Sequence, residues 1–155
     1  MITGEHTLRR AHAGDAHAVA SLVGAAYGHY VDRIGFPPRP MTDDYTQVIR
    51  SKQVTVAETE TAIVGVIVLG ADDEGFFIDN VAVHPSHHGR GVGRALLQFA
   101  EVEARRAGFD SVYLYTHEGM IENIDLYSRI GYAEYDRRPQ GNFSLVYMRK
   151  PLVNG

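Results

Sequence analysis

Residues 76–107 constrain the fold most, because an apolar strand, a glycine-rich turn and an amphipathic helix follow one another directly. The turn carries Gly89, Gly91 and Gly93 at alternate positions. A helix start exposes unpaired backbone N–H groups at the positive end of the helix dipole. Glycines there let a bulky anion approach the backbone. The segment can therefore hold a pyrophosphate, although a turn that merely starts a helix has the same pattern.

Two common nucleotide-binding patterns fit this turn poorly. A Walker loop requires a Lys-Ser/Thr pair after its second glycine, and the sequence has none there. A dinucleotide-binding turn follows the first strand of a βαβ unit, whereas three predicted strands precede the strand that leads into this turn. A nucleotide-binding module nevertheless stays open as one hypothesis for the chain.

Charge and cysteine content exclude several classes of function. The 15 basic and 19 acidic residues give a net charge of −4, which predicts no nucleic-acid partner. The chain has no cysteine, so disulfides, thiolate metal sites and an acyl-cysteine intermediate are excluded. No segment approaches the roughly 20 apolar residues of a membrane span, and the N-terminus lacks the apolar core of a signal peptide. We therefore expect a cytoplasmic protein with no membrane partner.

Hydrophobic periodicity predicts a single α/β (α+β) domain over residues 1–155. The expected architecture is a mixed central sheet of about seven strands flanked by four helices, in the order β-α-α-β-β-β-α-β-α-β-β. The predicted strands are 7–10, 53–59, 62–70, 76–84, 111–116, 133–138 and 144–150, and the predicted helices are 15–30, 42–50, 89–107 and 121–130.

Two motifs resemble those of the GNAT superfamily of N-acetyltransferases. Residues 78–85 (IDNVAVHP) and 88–93 (HGRGVG) are similar to its motif A, and residues 123–127 (NIDLY) with 130–132 (IGY) are similar to its motif B. The order of elements matches that family along nearly the whole chain. His88 departs from the usual Gln or Arg. The family's asparagine often lies seven residues before the tyrosine, where this chain has Met120; Asn123 lies four before Tyr127 instead.

The resemblance implies an enzyme that moves an acetyl group from acetyl-CoA to a primary amine of a small molecule or protein. It places the pantetheine arm along residues 81–83 and an oxyanion-stabilising backbone N–H near Val83, where the family's strand has a bulge. The implied cofactor-binding residues are Val81, Ala82, Val83, His88, Gly89, Arg90, Gly91, Val92, Gly93, Arg94, Asn123 and Tyr127. The alternative from another class is a non-catalytic acyl-CoA-binding sensor of the same fold.

The chemistry requires a proton for the departing thiolate and a base for the amine. The resemblance gives the first role to Tyr127, whose phenol, with a pKa of about 10, is only modestly mismatched to a thiolate of about 8.5. Tyr127 could instead pack in the core and only order the cofactor sulfur. Asp79 is the candidate base through a water molecule, with His117 and Glu118 as rivals; a plain hydrogen-bonded strand acid fits Asp79 equally well. Without cysteine, direct attack by the amine is the expected route.

The acceptor is expected to bind between the first helix and the second strand, where aromatic and acidic residues would suit an amine with an apolar body. The candidate substrate-binding residues are Tyr27, Tyr30, Phe36, Tyr45 and His117. No metal is expected, because His84, His87 and His88 lack carboxylate or cysteine partners at ligand spacing. A homodimer is possible through the apolar residues 145–148.

Overall fold

The computed structural model describes residues 6–153, which form seven strands and five α-helices. In chain order they are β1 (Thr7–Arg10), α1 (Ala16–Tyr27), α2 (Tyr30–Ile34), α3 (Tyr45–Ser51), β2 (Gln53–Glu58), β3 (Ile63–Asp72), β4 (Gly75–Val83), α4 (Val92–Arg106), β5 (Ser111–His117), α5 (Ile121–Arg129), β6 (Ala133–Gln140) and β7 (Phe143–Pro151). No helix in this part of the chain has the length and apolar composition that a membrane span requires.

The strands form one mixed sheet in the order β1-β2-β3-β4-β5-β7-β6. Only the β4–β5 pair is parallel; the other neighbours are antiparallel. One buried cluster contains α1, α2 and α3 side chains, and the other contains those of α4 and α5. Helices therefore cover both faces, and the predicted fold class and element pattern are confirmed, with five helices in place of four.

The predicted helix over residues 15–30 is wrong in its continuity. The chain forms α1 and then a separate α2, with Gly28 at the break. Both Tyr27 and Tyr30 are buried, and they belong to different helices. Glycine is a poor helix former, and here it marks the break between the two helices.

Helix α4 begins at Val92, three residues after the predicted start. Gly89 and Gly91 have φ angles of 79° and 84°, which lie in the left-handed region and cannot continue a right-handed helix. The other end is as predicted, because Gly108 also has a positive φ and the Phe109 N–H bonds to the Ala104 carbonyl.

A β-bulge at Asp79 changes the course of β4. Leu69 pairs with Ile78 and Val68 pairs with Asn80, so Asp79 has no partner on β3. Before the bulge, Ile78 packs in the α4 cluster. After it, residues of the same parity turn to the opposite face, and Ala82 packs in the α1 cluster. The bulge therefore reverses the alternation within one strand.

The expected position of this bulge, near Val83, is wrong. The register shift lies four residues earlier, at Asp79, and the pairing continues regularly to Val83. Strand β4 pairs with β5 only through Phe76 and Phe77. The two strands therefore separate just before the bulge, and a gap opens between them.

The C-terminal apolar residues serve mainly the chain's own core. Val146 and Met148 on β7 are 0% and 1% exposed, whereas Leu145 and Tyr147 point to the other face of the sheet and are partly exposed. Only the latter two are accessible to a second copy of the chain.

Candidate active site

The gap between β4 and β5 leads into a cavity of about 280 Å³, which we call the cleft. Its walls include residues 78–81 on β4, residues 114–117 on β5, residues 34–40, and the β6–β7 hairpin. The predicted site residues that line it are Tyr27, Phe36, Asp79, Val81, His117, Asn123 and Tyr127. Residues from six parts of the sequence therefore converge here, as expected for a ligand site in this kind of sheet.

The predicted pyrophosphate turn lies beyond the end of β4, the strand whose residues 78–81 line the cleft. The first hydrogen bond of α4 runs from the Ala95 N–H to the Gly91 carbonyl, so the N–H groups of Val92, Gly93 and Arg94 precede any helical partner. A side chain at Gly89 or Gly91 would meet nothing within 4 Å, so the space over the turn is open. We call residues 88–94 the cofactor side. Its exposed amides and open approach fit a bulky anion.

Close packing holds this helix start over the sheet. A methyl group at Gly65 on β3 would lie 2.8 Å from Val92 and 3.0 Å from Leu96, so α4 can approach the strand only at a glycine. Val92 and Leu96 are fully buried. This packing therefore holds the first turn of α4 and its backbone amides in a fixed position against the sheet.

His88, the departure from motif A, turns towards the sheet. Its Nε2 lies 3.2 Å from the carbonyl oxygen of Val83. On the same strand, the Tyr27 hydroxyl donates to the Val81 carbonyl at 2.9 Å. Two side chains therefore contact the strand segment along which the pantetheine arm was expected.

Tyr127 lies on α5, where it lines the cleft although its side chain is only 6% exposed. Its ring meets that of Tyr132 edge to face at 5.8 Å. Within residues 6–153 its hydroxyl has no hydrogen-bond partner. Burial raises the pKa of Tyr127 above its ordinary value, and Tyr30 adds to the rise. The phenol therefore keeps its proton, although it is a weaker acid than an exposed tyrosine.

Asp79 projects from the bulge into a small ion cluster. Its Oδ2 lies 3.3 Å from an Arg39 nitrogen and 3.4 Å from Lys52 Nζ. Arg39 also donates to the backbone carbonyl of Asp79 at 2.9 Å and to Asp43 at 2.6 Å. Arg39 therefore ties the segment before α3 to the bulge, a link between distant residues that sequence patterns do not show.

Asn80, next to Asp79, was missed in the sequence. It is 4% exposed, and its Oδ1 accepts from the Tyr27 hydroxyl at 2.9 Å while its Nδ2 donates to the Tyr45 hydroxyl at 3.0 Å. Tyr45 in turn donates to the Pro40 carbonyl. The available signal was a polar amide within an otherwise apolar strand. These hydrogen bonds fix the position of Asn80, which lines the cleft, relative to α1 and α3.

His117 is held in one tautomer. Its Nδ1 accepts the Gly119 N–H at 2.8 Å, so in the neutral ring the proton is on Nε2. Burial lowers the pKa of His117 below its ordinary value. The ring is therefore a neutral hydrogen-bond donor, and as a base it would lack a free nitrogen. Glu118, the other rival base, accepts from the Ser144 N–H and lies outside the cleft lining.

Two predicted acceptor residues lie in the core and not in the cleft. Tyr30 is 2% exposed and Tyr45 is 4% exposed, and neither lines the cavity. Both positions are explained by tight packing against α1 and the sheet, which a pattern of aromatic residues cannot distinguish from a binding wall. Residues that line the cleft but were not predicted to bind the acceptor include Arg39, Tyr115, Gln140, Phe143 and Leu145.

Comparison with known proteins agrees with this geometry. Residues 21–132, more than half of the chain, match the model of the acetyltransferase (GNAT) family. The chain belongs to this family. The resemblance noted in the two motifs is thereby confirmed, and so is the expectation that the protein falls in an acyltransferase class of enzyme. The site can accordingly be described in the terms of acetyl transfer.

One similar protein of this family is an IAA acetyltransferase from Azospirillum brasilense. It is 34% identical over 103 residues, which are 63% of this chain and 66% of that protein, just under two thirds of its length. Among solved structures, the paiA N-acetyltransferase from Thermoplasma acidophilum, in complex with coenzyme A, has a TM-score of 0.79 at 16% identity, covering 94% of this chain and 98% of that one. A GNAT family acetyltransferase from Elizabethkingia anophelis with acetyl-CoA bound has a TM-score of 0.71 at 19% identity, covering 96% and 99%.

Proposed function

We propose that this protein transfers an acetyl group from acetyl-CoA directly to a primary amine of a small molecule or a protein. The observation that carries the proposal is the separation of β4 from β5, which opens the cleft that Tyr127 lines, on the strand that leads into the glycine turn. Relatives with the same fold were solved with acetyl-CoA and with coenzyme A. Family membership supports acetyl transfer as the reaction class.

The cofactor side would hold the pyrophosphate of acetyl-CoA through backbone groups. The amides of Val92, Gly93 and Arg94 are directed by the helix start, and the glycines leave the approach open. Asn123 lines the cleft one turn before Tyr127 on α5, so both face the region where the acyl end would lie. Acetyl-CoA supplies an acetyl group activated as a thioester.

Tyr127 would supply the proton that the departing sulfur needs. In the transfer, a bond forms between the amine nitrogen and the acetyl carbon, and the carbon–sulfur bond breaks. The leaving sulfur takes the proton of the Tyr127 hydroxyl, which burial keeps protonated into the alkaline range. General acid catalysis of this kind typically contributes about 10² to 10⁴ in rate.

Asp79 would receive the amine proton through a water molecule. It lies at the bulge and is the one acidic residue among the described residues that line the cleft. Arg39 and Lys52 contact the same carboxylate oxygen, Oδ2, and among residues 6–153 no hydrogen bond or ion pair reaches Oδ1. The protein therefore has one carboxylate oxygen for the proton relay.

The test is release of free coenzyme A thiol from acetyl-CoA in the presence of a panel of primary amines, with the acetylated product identified by mass spectrometry. The expected result is amine-dependent release with one equivalent of N-acetyl product. A protein that binds coenzyme A tightly and releases no thiol with any amine would be a non-catalytic sensor. The Tyr127 hydroxyl is protonated and has no hydrogen-bond partner in the described part of the chain, which favours the enzyme over the sensor.

A further inference from the structure

Three aromatic rings form a continuous wall on the side of the cleft away from the glycine turn. The ring of His117 stacks on Phe143 with centroids 4.3 Å apart, and Phe36 lies 5.3 Å from Phe143 and 5.8 Å from His117. The rings come from three separate segments: the loop after α2, the end of β5, and the start of β7. We call Phe36, His117 and Phe143 the aromatic wall.

The aromatic wall is exposed to the cleft. All three residues line it, and Phe36 keeps 39% of its surface accessible, an unusual fraction for a large apolar ring beside a cavity. Open apolar rings gain free energy when a ligand covers them. A flat ring gains more than a flexible alkyl chain of equal size, because offset and edge-to-face ring pairs add about 0.5–1.5 kcal/mol, a factor of roughly 2 to 13 in affinity.

The charges of the cleft are already compensated. Among its lining residues within 6–153, only Arg39 and Asp79 carry full charges, and they pair with each other. Asp43 and Lys52 complete that cluster with one charge of each sign. His117 is held neutral by its bond from Gly119 and by burial. A second positive charge on the acceptor would therefore enter the cleft without a carboxylate of its own.

We infer that the acceptor is a monoamine that carries a planar aromatic group and no second cation. Its ring would pack against Phe36 and Phe143, while the Nε2–H of His117, which also lines the cleft, would donate to a polar atom on the ring's substituent. The amine would then extend towards Asp79 and Tyr127. Polyamines and lysine-rich peptides would be poor substrates. This inference rests on the proposed transfer reaction and names the substrate class of the same site.

Two matched pairs of amines test it with the thiol-release assay, each rate being expressed per neutral amine. We expect 2-phenylethylamine to exceed 2-cyclohexylethylamine by roughly 3- to 10-fold in kcat/KM, because the two share the six-membered ring and the ethylamine chain but only the phenyl ring is planar and aromatic. We expect hexylamine to exceed 1,6-diaminohexane by about tenfold or more, because only the diamine buries an unpaired charge. Equal or reversed preferences within either pair would overturn the inference.

Substitutions at Phe36 locate the effect. Phe36→Leu should remove most of the preference for the phenyl compound, and Phe36→Tyr should restore it. Val102→Ala, which trims an exposed side chain of α4 outside the cleft, is the control and should leave the preference unchanged. A phenyl preference that survives Phe36→Leu and Phe143→Leu would place the aromatic group elsewhere.

A binding measurement separates this inference from the proposed function. Calorimetric titration of 2-phenylethylamine into the protein saturated with coenzyme A requires no turnover. If no amine releases thiol but the phenyl compound still binds more weakly to Phe36→Leu, the transfer reaction fails and the aromatic wall stands. If thiol is released but the aromatic amine neither binds nor reacts better than its cyclohexyl counterpart, the transfer reaction stands and the inference fails.

Discussion

The two sides of the cleft are built in different ways. The cofactor side is one continuous segment, residues 88–94, and it presents backbone groups fixed by Gly89, Gly91 and the start of α4. The acceptor side, which we define as residues 34–40, 115–117 and 140–145, presents side chains from segments far apart in sequence. Backbone recognition depends on chain conformation and tolerates changes of side chain. The acceptor side depends on side-chain identity, so it can change its ligand while the fold remains.

Tyr127 stands where the two sides meet, and its substitution should have the largest effect. Tyr127→Phe removes the proton donor and leaves the ring packing against Tyr132, so kcat should fall by about 100-fold or more. The affinity for acetyl-CoA should change by less than about threefold, because the phosphates are bound elsewhere. Steady-state kinetics and calorimetry measure the two quantities. An unchanged kcat would remove Tyr127 from the proposed chemistry.

Arg39 tests the acceptor side alone. Arg39→Gln loses the ion pairs to Asp79 and Asp43 and releases the loop from the bulge. Hydrogen bonds to charged groups contribute about 1.5–3 kcal/mol, and with a side chain 39% exposed we expect a rise in acceptor KM of roughly 20-fold. Coenzyme A binding should not change.

Arg33→Gln is the matched control for that variant. Arg33 lies on α2, close to Arg39 in the sequence. Its side chain is 41% exposed and pairs with Glu122 on α5 without lining the cleft. Its acceptor KM should stay within about twofold of the parent. Equal effects of the two substitutions would mean that Arg39 acts through general stability and not through the bulge.

Gly91 tests the cofactor side alone. Gly91→Ala places a side chain at a φ of 84°, which strains the turn by about 1–2 kcal/mol and shifts the amides that follow it. We expect coenzyme A to bind about tenfold more weakly, with acceptor KM unchanged. Gly141→Ala is the control, because Gly141 also has a positive φ and open space around it but lies in the β6–β7 turn. It should cost similar stability and leave coenzyme A affinity intact.

The smallest expected effects compare one buried tyrosine in each of the two hydrophobic clusters. Tyr132 packs in the α4 cluster with a buried hydroxyl that has no hydrogen-bond partner among residues 6–153, whereas the Tyr45 hydroxyl in the α1 cluster has partners at Asn80 and Pro40. Tyr132→Phe should raise the free energy of unfolding by about 1 kcal/mol, and Tyr45→Phe should lower it by about 1–3 kcal/mol. Urea unfolding measures both. Changes of the same sign would show that hydroxyl pairing does not distinguish the two clusters.

The same contrast explains what the sequence could predict. Local sequence patterns predict regular elements and the cofactor side. The alternation of residues placed β1 at its observed position, and the glycine turn placed the start of α4 to within three residues. The error in the start of α4 arose because the φ angles of Gly89 and Gly91 are a backbone property that composition does not specify. The polar pair Asp79–Asn80 in an apolar strand was the visible trace of the bulge.

The acceptor side was less accessible to sequence analysis because its contacts are long-range. Phe36 was predicted, but its neighbour Phe143 was not, and no periodicity connects a loop after α2 with a strand near the C-terminus. Tyr30 and Tyr45 were predicted as a binding wall because buried and cleft-lining tyrosines have the same local sequence signature. Only the packing of α2 and α3 into the α1 cluster distinguishes them.

The bulge at Asp79 has a further consequence for how this sheet can evolve. A single extra residue shifts the side-chain alternation of β4. Even-numbered residues face α4 before the bulge and α1 after it. Deleting that residue would restore an unbroken alternation with Val81 and Val83 still on the α4 face, and it would remove the local distortion at the point where β4 parts from β5. The opening through which substrates meet therefore lies beside a strand that is longer by one residue than its partner. A change in strand length here is more disruptive than a change of side chain.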